Sequence, residues 1–357
     1  MTRVLLLYGG RSGEHQISCL SARSVLEAID TTRYEVVPVG ITRNGRWTLT
    51  DGVIEPIGAT KLPEVADDGP TVALIGTRQG PQLVRVDDDG TSAVSIGPID
   101  VVFPLMHGPW GEDGTIQGML DTIGVPYVGA DVAASSFAID KAAMKAAFAA
   151  HDLPQGPYVA VDSWRWRAEP QVVVKQFEES LALPWFVKPV RQGSSIGISK
   201  VSSPDRLAQA MEAAYAYDKV AVVEQGFVGA RELEVGVLGD GEIHVTRPGE
   251  IVPSHEFYDF DAKYLDTSQL RIPADVPPEV AVEIDVVARR AYRAIGCRGL
   301  ARVDFFLAAD GQLVINEINT IPGFTPSSMF PRLWAAEGLD YPALVARLLE
   351  SATETYA

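Results

Sequence analysis

Short apolar runs alternate with amphipathic stretches from the start of the chain. Val4–Tyr8 is continuously apolar, Gly9-Gly10 breaks it, and Ile17–Ile29 carries apolar residues at helical spacing before the next apolar run, Tyr34–Ile41. This order reads strand, helix, strand. Asp100–Met106 is a further buried strand, followed by a polar Gly-rich loop and a helix near Ile116–Ile123. Together these elements predict a parallel sheet covered by helices. Residues 44–98 are rich in Gly, Asp, Pro and Thr and predict hairpins and loops.

The pattern changes near residue 135. Asp131–Ala150 is alanine-rich and reads as one helix, ended by the turn region His151–Pro157. Strands are predicted at Tyr158–Val161, Trp185–Val190, Ile196–Val201 and Val220–Gln225, with helices at about 168–180 and 204–217. Strands at 232–238 and 242–247 follow, then a long irregular segment from Gly249 to Arg271, a helix at 279–295, a hairpin at 300–319 and two amphipathic helices. The expected fold class is α/β, α+β in parts.

The hairpin carries the first chemical signal. A tight turn at Asp310-Gly311 places Asp304 opposite Glu317 and Arg302 opposite Asn319, all on one face. Carboxylates directly opposite each other destabilise a sheet unless a cation lies between them. A solvated polar face would also tolerate them. Phe306 and Ile315, expected on the same face, favour burial instead. Two carboxylates and an amide oxygen are hard ligands suited to magnesium that holds phosphates. The run Asn319-Thr-Ile-Pro-Gly-Phe-Thr-Pro-Ser-Ser adds backbone N–H groups, hydroxyls and a helix start, all suited to anions.

Other segments are weaker one by one. Lys188 stands in an apolar strand, where it needs an anionic partner. In the following Arg191-Gln-Gly-Ser-Ser-Ile-Gly, glycines allow close approach to a phosphate and Ser194 and Ser195 add donors, although a plain hairpin loop has the same composition. Lys141 reads as a surface lysine, Glu224 as a strand-end acid, and His107 as the end of a parallel strand, where ligands collect. Neither the Walker P-loop nor the dinucleotide-binding glycine pattern is present, which disfavours a nicotinamide enzyme.

Composition narrows the class. The chain has 357 residues, 46% of them hydrophobic, which suits two or three domains. A net charge of -17 repels nucleic acid and anionic membranes on average. Cys19 and Cys297 make no disulfide framework, no stretch approaches a membrane span, and the first apolar run is too short for a secretion signal. A cytoplasmic protein is expected.

Taken in order, these segments resemble the D-alanine–D-alanine ligases of the ATP-grasp fold. The resemblance runs through Gly9-Gly-Arg-Ser-Gly-Glu-His-Gln-Ile-Ser, His107-Gly-Pro-Trp-Gly-Glu-Asp-Gly-Thr, Ile139-Asp-Lys, Val187-Lys-Pro-Val-Arg-Gln-Gly-Ser-Ser-Ile-Gly and Val223-Glu-Gln. It continues in Arg231-Glu-Leu-Glu-Val, Tyr258-Asp-Phe-Asp-Ala-Lys-Tyr, Ala301-Arg-Val-Asp and Asn316-Glu-Ile-Asn-Thr-Ile-Pro-Gly-Phe-Thr. It implies three domains: an N-terminal parallel-sheet substrate domain (1–134), a central ATP-grasp domain (135–224) and a C-terminal one (225–357) with a mobile loop at 249–271.

The resemblance also implies roles. Lys141 and Lys188 would hold ATP phosphates, Glu224 and Glu232 the adenine amine and ribose hydroxyls, and Ser195, Gln225, Phe227 and Asn316 would belong to the ATP site. Gln225 stands where some members have lysine. Asp304, Glu317 and Asn319 would bind two Mg2+ ions, for which Mn2+ substitutes, with a monovalent cation as a further candidate. Glu14 would pair with the ammonium of the first D-alanine, in a hydrogen-bonded group with Ser194 and Tyr264. Lys263 would reach the γ-phosphate, Arg302 and the Gly323 N–H would stabilise an oxyanion, Ser327 or Ser328 would hold the second carboxylate, and His107 would help position the first D-alanine. The implied product is D-alanyl-D-alanine for peptidoglycan precursors, made through an acyl phosphate by a homodimer. Alternatives are a D-Ala–D-Lac or D-Ala–D-Ser ligase, another carboxylate–amine ligase of this fold, or a non-catalytic nucleotide-binding module.

Overall fold

A computed structural model describes residues 1–55, 62–87, 89–239, 242–252 and 269–355. The chain opens with β1 (Thr2–Gly9), α1 (His15–Ala28) and β2 (Tyr34–Ile41), followed by β3 (Trp47–Leu49). β4 (Val72–Thr77), β5 (Gly80–Val86) and β6 (Ala93–Pro98) form a small antiparallel sheet from the predicted hairpin region. β7 (Val101–Pro104) returns to the first sheet, whose order is β3-β2-β1-β7, with β1 parallel to both β2 and β7. The apolar run at 4–8 is thus a buried parallel strand, as its unbroken hydrophobicity requires, and β2 beside it is buried except near Glu35. α2 (Thr115–Ile123) follows the Gly-rich loop.

The predicted helix over 131–150 is two helices, α3 (Val132–Ile139) and α4 (Lys141–Ala150). Asp140 breaks it: its backbone is extended and its side chain accepts the Ala143 N–H, so a second N-cap starts a second helix. Lys141 is therefore the first residue of α4 rather than a mid-helix surface lysine.

β8 (Tyr158–Asp162), α5 (Ser163–Ala168), α6 (Pro170–Ser180), β9 (Trp185–Pro189), β10 (Ser199–Val201), α7 (Leu207–Tyr215) and β11 (Val220–Gln225) come next. The strands make an antiparallel sheet of order β10-β9-β11-β8. The predicted strand at 196–201 keeps only its last part, because residues 191–198 are a loop.

The last sheet contains β12 (Arg231–Gly239), β13 (His244–Val245), β14 (Gly249–Val252), β15 (Gln269–Arg271), β16 (Gly299–Leu307) and β17 (Leu313–Asn319). The irregular segment expected over 249–271 is corrected at both ends, where β14 and β15 pair antiparallel. Its middle, with Lys263 and Tyr264, lies outside the described residues. One face of this sheet packs Leu233, Val235, Val303, Phe305 and Ile315 against α8 (Pro278–Ala294) and against Met144 and Phe148 of α4. Side-chain alternation turns the other face toward the site. α9 (Met329–Ala336) and α10 (Tyr341–Thr355) end the chain, and α10 returns to the first sheet: Leu344, Leu348 and Leu349 share a core with Val4, Leu6 and Phe103. No helix among the described residues is long and apolar enough to cross a membrane.

Candidate active site

The β16–β17 hairpin has the predicted pairs Asp304–Glu317 and Arg302–Asn319. The route to that register differs from the prediction. The connection is longer than a two-residue turn: Ala308 N–H bonds to Gln312 O, and Leu307 faces Leu313. Phe305 then faces Ile315, and a bulge leaves Asn316 as an extra residue before Glu317 meets Asp304. The bulge has a consequence for the expected face. Ile315 belongs to the apolar core with Phe305, not to the face of Asp304, whereas Asn316 and Phe306 line the site.

Charge is concentrated on that face. The Arg302 guanidinium makes a two-point contact with Asp304, Nε to Oδ1 and Nη2 to Oδ2, both at 2.7 Å. Arg302 Nε also lies 3.0 Å from Oε2 of Glu234, which pairs with Asp304 across β12. Its Nε–H points to Asp304, so the contact with Glu234 is one of charge. Asn319 Nδ2 donates to Asp304 Oδ2 at 3.0 Å. Burial would lower the Arg302 pKa, but Asp304, Glu234 and Glu317 outweigh it and hold it well above its ordinary value. Glu234, only 6% exposed, was not anticipated from the sequence.

The donor set fits a hard divalent cation: two facing carboxylates and an amide. Among the described residues no group of three or more acidic, His or Cys side chains is arranged as a metal cage. This agrees with the chemistry of Mg2+, which takes one or two carboxylates plus phosphate oxygens and water rather than an all-protein cage. Arg302 supplies the positive charge on Asp304 in this structure.

A second cluster lies on the β9/β11 sheet. Lys188 Nζ donates to Glu224 Oε2 at 2.6 Å. Lys145 Nζ, from α4, is 3.2 Å from Glu224 Oε1. Desolvation would raise the Glu224 pKa, yet Lys145 and Lys188 overcome it and lower it to about 2. Lys188 is raised: burial opposes the shift, while Glu224, Glu317 and Glu232 drive it. Lys145 was missed by the sequence reading, though its place one helical turn after Lys141 puts both on one face of α4. Lys141 itself donates to Gln192 O at 2.7 Å. Gln225 accepts the Ala182 N–H at 3.0 Å, and Phe227 stacks on Phe306 with centroids 5.7 Å apart.

The third group comes from the first sheet. Glu14 sits at the N-terminus of α1, 5% exposed, and Ser194 Oγ donates to its Oε1. Side chains at two glycines would displace it: a Cβ at Gly108 would lie 2.6 Å, and one at Gly193 2.7 Å, from Glu14 Oε2. Ser194 and Ser195 hold φ of 48° and 58°, the left-handed region that serine seldom occupies, and such strain gathers at functional sites. His107, 3% exposed, contacts Ile321 O through Nδ1 and Ser21 Oγ through Nε2, both at 3.0 Å. Burial would lower its pKa, but Glu112 and Glu14 raise it on balance. Thr325 Oγ1 lies 3.0 Å from Ser327 Oγ and 2.8 Å from Ser328 Oγ, at the start of α9.

One cavity of about 580 Å³ joins these groups. Glu14, His107, Lys141, Lys188, Ser194, Ser195, Glu224, Gln225, Phe227, Glu232, Arg302, Asn316, Glu317, Asn319, Gly323, Ser327 and Ser328 all line it. Asp304 reaches it through Arg302 and Asn319 rather than lining it. Among the expected site residues, Lys263 and Tyr264 lie outside the described residues.

Comparison with known proteins gives one family. Family profiles described as D-ala D-ala ligase N-terminus and D-ala D-ala ligase C-terminus match residues 3–130 and 147–350. A D-alanine--D-alanine ligase of Mycobacterium sp. (strain KMS) is 50% identical, with 98% of this chain and 96% of that protein covered. One from Arthrobacter sp. (strain FB24) is 46% identical over 97% of this chain and 93% of its own length. Among solved structures, the VanG D-Ala:D-Ser ligase of Enterococcus faecalis has a TM-score of 0.82 at 32% identity, covering 100% of this chain and 99% of that one. The D-alanine-D-alanine ligase of Coxiella burnetii has a TM-score of 0.81 at 30% identity, covering 100% and 96%.

Proposed function

The chain belongs to the D-alanine–D-alanine ligase family, and on that premise we propose how its site works. It is an ATP-dependent ligase that joins two D-alanines into D-alanyl-D-alanine, a peptidoglycan precursor. The observation that carries the assignment of roles is the cavity itself. It places a carboxylate able to hold an ammonium, Glu14, in one space with Arg302, the lysines and the facing acids of the hairpin.

Glu14 pairs with the ammonium of the first D-alanine, and Gly108 and Gly193 leave its carboxylate room to do so. Ser194 fixes Glu14, and His107 shapes the same end of the cavity. The first carboxylate attacks the γ-phosphate of ATP, giving an acyl phosphate and ADP. Lys141 and Lys188 hold phosphate oxygens and disperse their charge, with Ser195 as a further donor. Asp304, Glu317 and Asn319 would hold two Mg2+ ions, which would supply charge neutralisation to the phosphates. The amine of the second D-alanine, its carboxylate on Ser327 or Ser328, attacks the acyl carbon. Arg302 and the Gly323 N–H meet the negative charge that develops there, and phosphate leaves. Water must be kept out, because it would destroy the acyl phosphate. Phe227, Phe306 and Ile318 line the apolar part of the cavity, suited to a nucleobase, with Glu224 and Glu232 as acceptors and Asn316 beside the phosphates.

The test is ADP release with D-alanine against L-alanine, followed by product identification. ADP release with D-alanine and formation of the dipeptide are expected. D-serine and D-lactate as second substrates provide the comparison, since the VanG D-Ala:D-Ser ligase has the same fold. A mixed product exceeding D-alanyl-D-alanine would overturn the choice of second substrate.

A further inference from the structure

We propose that Lys145 is a positioning residue for nucleobase choice: by holding Glu224 at the edge of the cavity, it makes the site accept a 6-amino purine and reject a 6-oxo purine. This rests on the ATP-dependent reading above.

Lys145 is only 3% exposed. Its Nζ lies 3.2 Å from Glu224 Oε1 and 5.4 Å from the centroid of the Tyr158 ring. It is not among the residues lining the cavity, whereas Glu224 is. Its backbone is fixed as well, since Lys145 O accepts Gln155 Nε2 at 2.8 Å. Lys145 therefore acts on a ligand only through Glu224.

Lys188 holds the other oxygen, at 2.6 Å, but its position is shared. It lines the cavity and feels Glu317 and Glu232 as well as Glu224. A triphosphate in the cavity competes for it. Lys145 sits behind the carboxylate, outside the cavity lining, where a triphosphate does not compete for it. Among the described residues, the groups that face Glu224 are Lys145 from α4, Lys188 from β9 and Tyr158, its partner on β8; Glu232 and Glu317 act through Lys188. Without Lys145, Lys188 is left to oppose the burial that favours the neutral form of Glu224.

The two forms read a purine differently. A carboxylate only accepts hydrogen bonds, so it suits an exocyclic amine and opposes a carbonyl oxygen at the same ring position. A protonated carboxyl can donate, and then a 6-oxo purine is no longer excluded. Sites that bond a polar group specifically reject analogues that leave buried groups unpaired.

The experiment measures kcat/KM with ATP and with inosine triphosphate, over a pH series, for wild type, Lys145→Met, Lys145→Gln and Lys145→Arg. Wild type is expected to prefer ATP throughout. Lys145→Met is expected to narrow that preference at least about tenfold, the worth of a charge-assisted hydrogen bond. The loss should appear in KM for ATP more than in kcat and should deepen as pH falls. Lys145→Arg should restore the preference. If Lys145→Met does not fold, Lys145→Gln keeps the shape without the charge and gives the same readout. An unchanged ATP preference in the folded uncharged variants would overturn the proposal, as would equal use of both nucleotides by wild type. Absence of ATP turnover by wild type would instead sink the ligase reading.

Discussion

Arg302 and Asp304 form a two-point pair, yet the two partners are not equivalent. Arg302 lies against Asp304 and Glu234 and is also held by Glu317, so removing it takes the guanidinium away from two buried acids. Arg302→Met is therefore expected to cost about 3–5 kcal/mol of stability, the usual effect of breaking a buried ion pair from one side. Asp304→Asn leaves Glu234 beside the guanidinium and relieves repulsion with Glu317. It should cost only about 1 kcal/mol while severely lowering ADP release from ATP and D-alanine. Urea unfolding and ADP release on both variants check this; equal losses of stability would make Asp304 chiefly a structural partner. Asp304, Glu317, Asn319 and Arg302 were legible in sequence because a hairpin brings near neighbours onto one face. Glu234 was not, because it arrives from β12, and Lys145 looked like an ordinary helical lysine until the fold set it against Glu224.

Among the elements, the β16–β17 hairpin has two departures from the simplest ladder that compensate each other. The longer connection moves the pairing by one residue, and the bulge at Asn316 moves it back before Glu317 reaches Asp304. The facing pairs were thus read correctly from a turn that is not the real one, while Ile315 was assigned to the wrong face. Neither a bulge nor a loop length leaves a clear trace in hydrophobic alternation. The bulge gives the site two successive residues, Asn316 and Glu317, where a regular strand would offer one. Deleting Asn316 should leave a regular ladder with Asp304 still opposite Glu317, a stability change of about 1 kcal/mol or less, and a raised KM for ATP. Deleting Ile315 instead draws Asn316 toward the core position beside Phe305 and should unfold the protein or lower its melting temperature far more. Thermal melts and KM for ATP separate the two outcomes. Equal damage to the fold would mean that the bulge itself is required for pairing.

Across the whole molecule, the cavity is lined by residues from three of the sheets and the loops that follow them. The strand and helix order was legible from periodicity, but the return of α10 to the first sheet was not, because an amphipathic helix does not name its partner. The same holds for the tie at Glu224. α4 packs Met144 and Phe148 into the core beneath the six-stranded sheet, and its Lys145 reaches across to Glu224 in the sheet of β8–β11. The ion pairs with Lys145 and Lys188 exist only while the carboxylate is ionised. Its pKa in the folded protein is about 2 against an ordinary 4.5, so it takes up a proton more readily unfolded than folded. Its contribution is full above pH 4.5 and drains away as the pH falls toward about 2. Glu224→Gln leaves Lys145 and Lys188 buried against a neutral amide, so near neutral pH it should cost about 3–5 kcal/mol. Below pH 4.5 wild type loses this advantage, and the two stability curves should converge toward about pH 2. Unfolding midpoints across that range measure the convergence; parallel curves would mean that Glu224 does not hold the two sheets together through its charge.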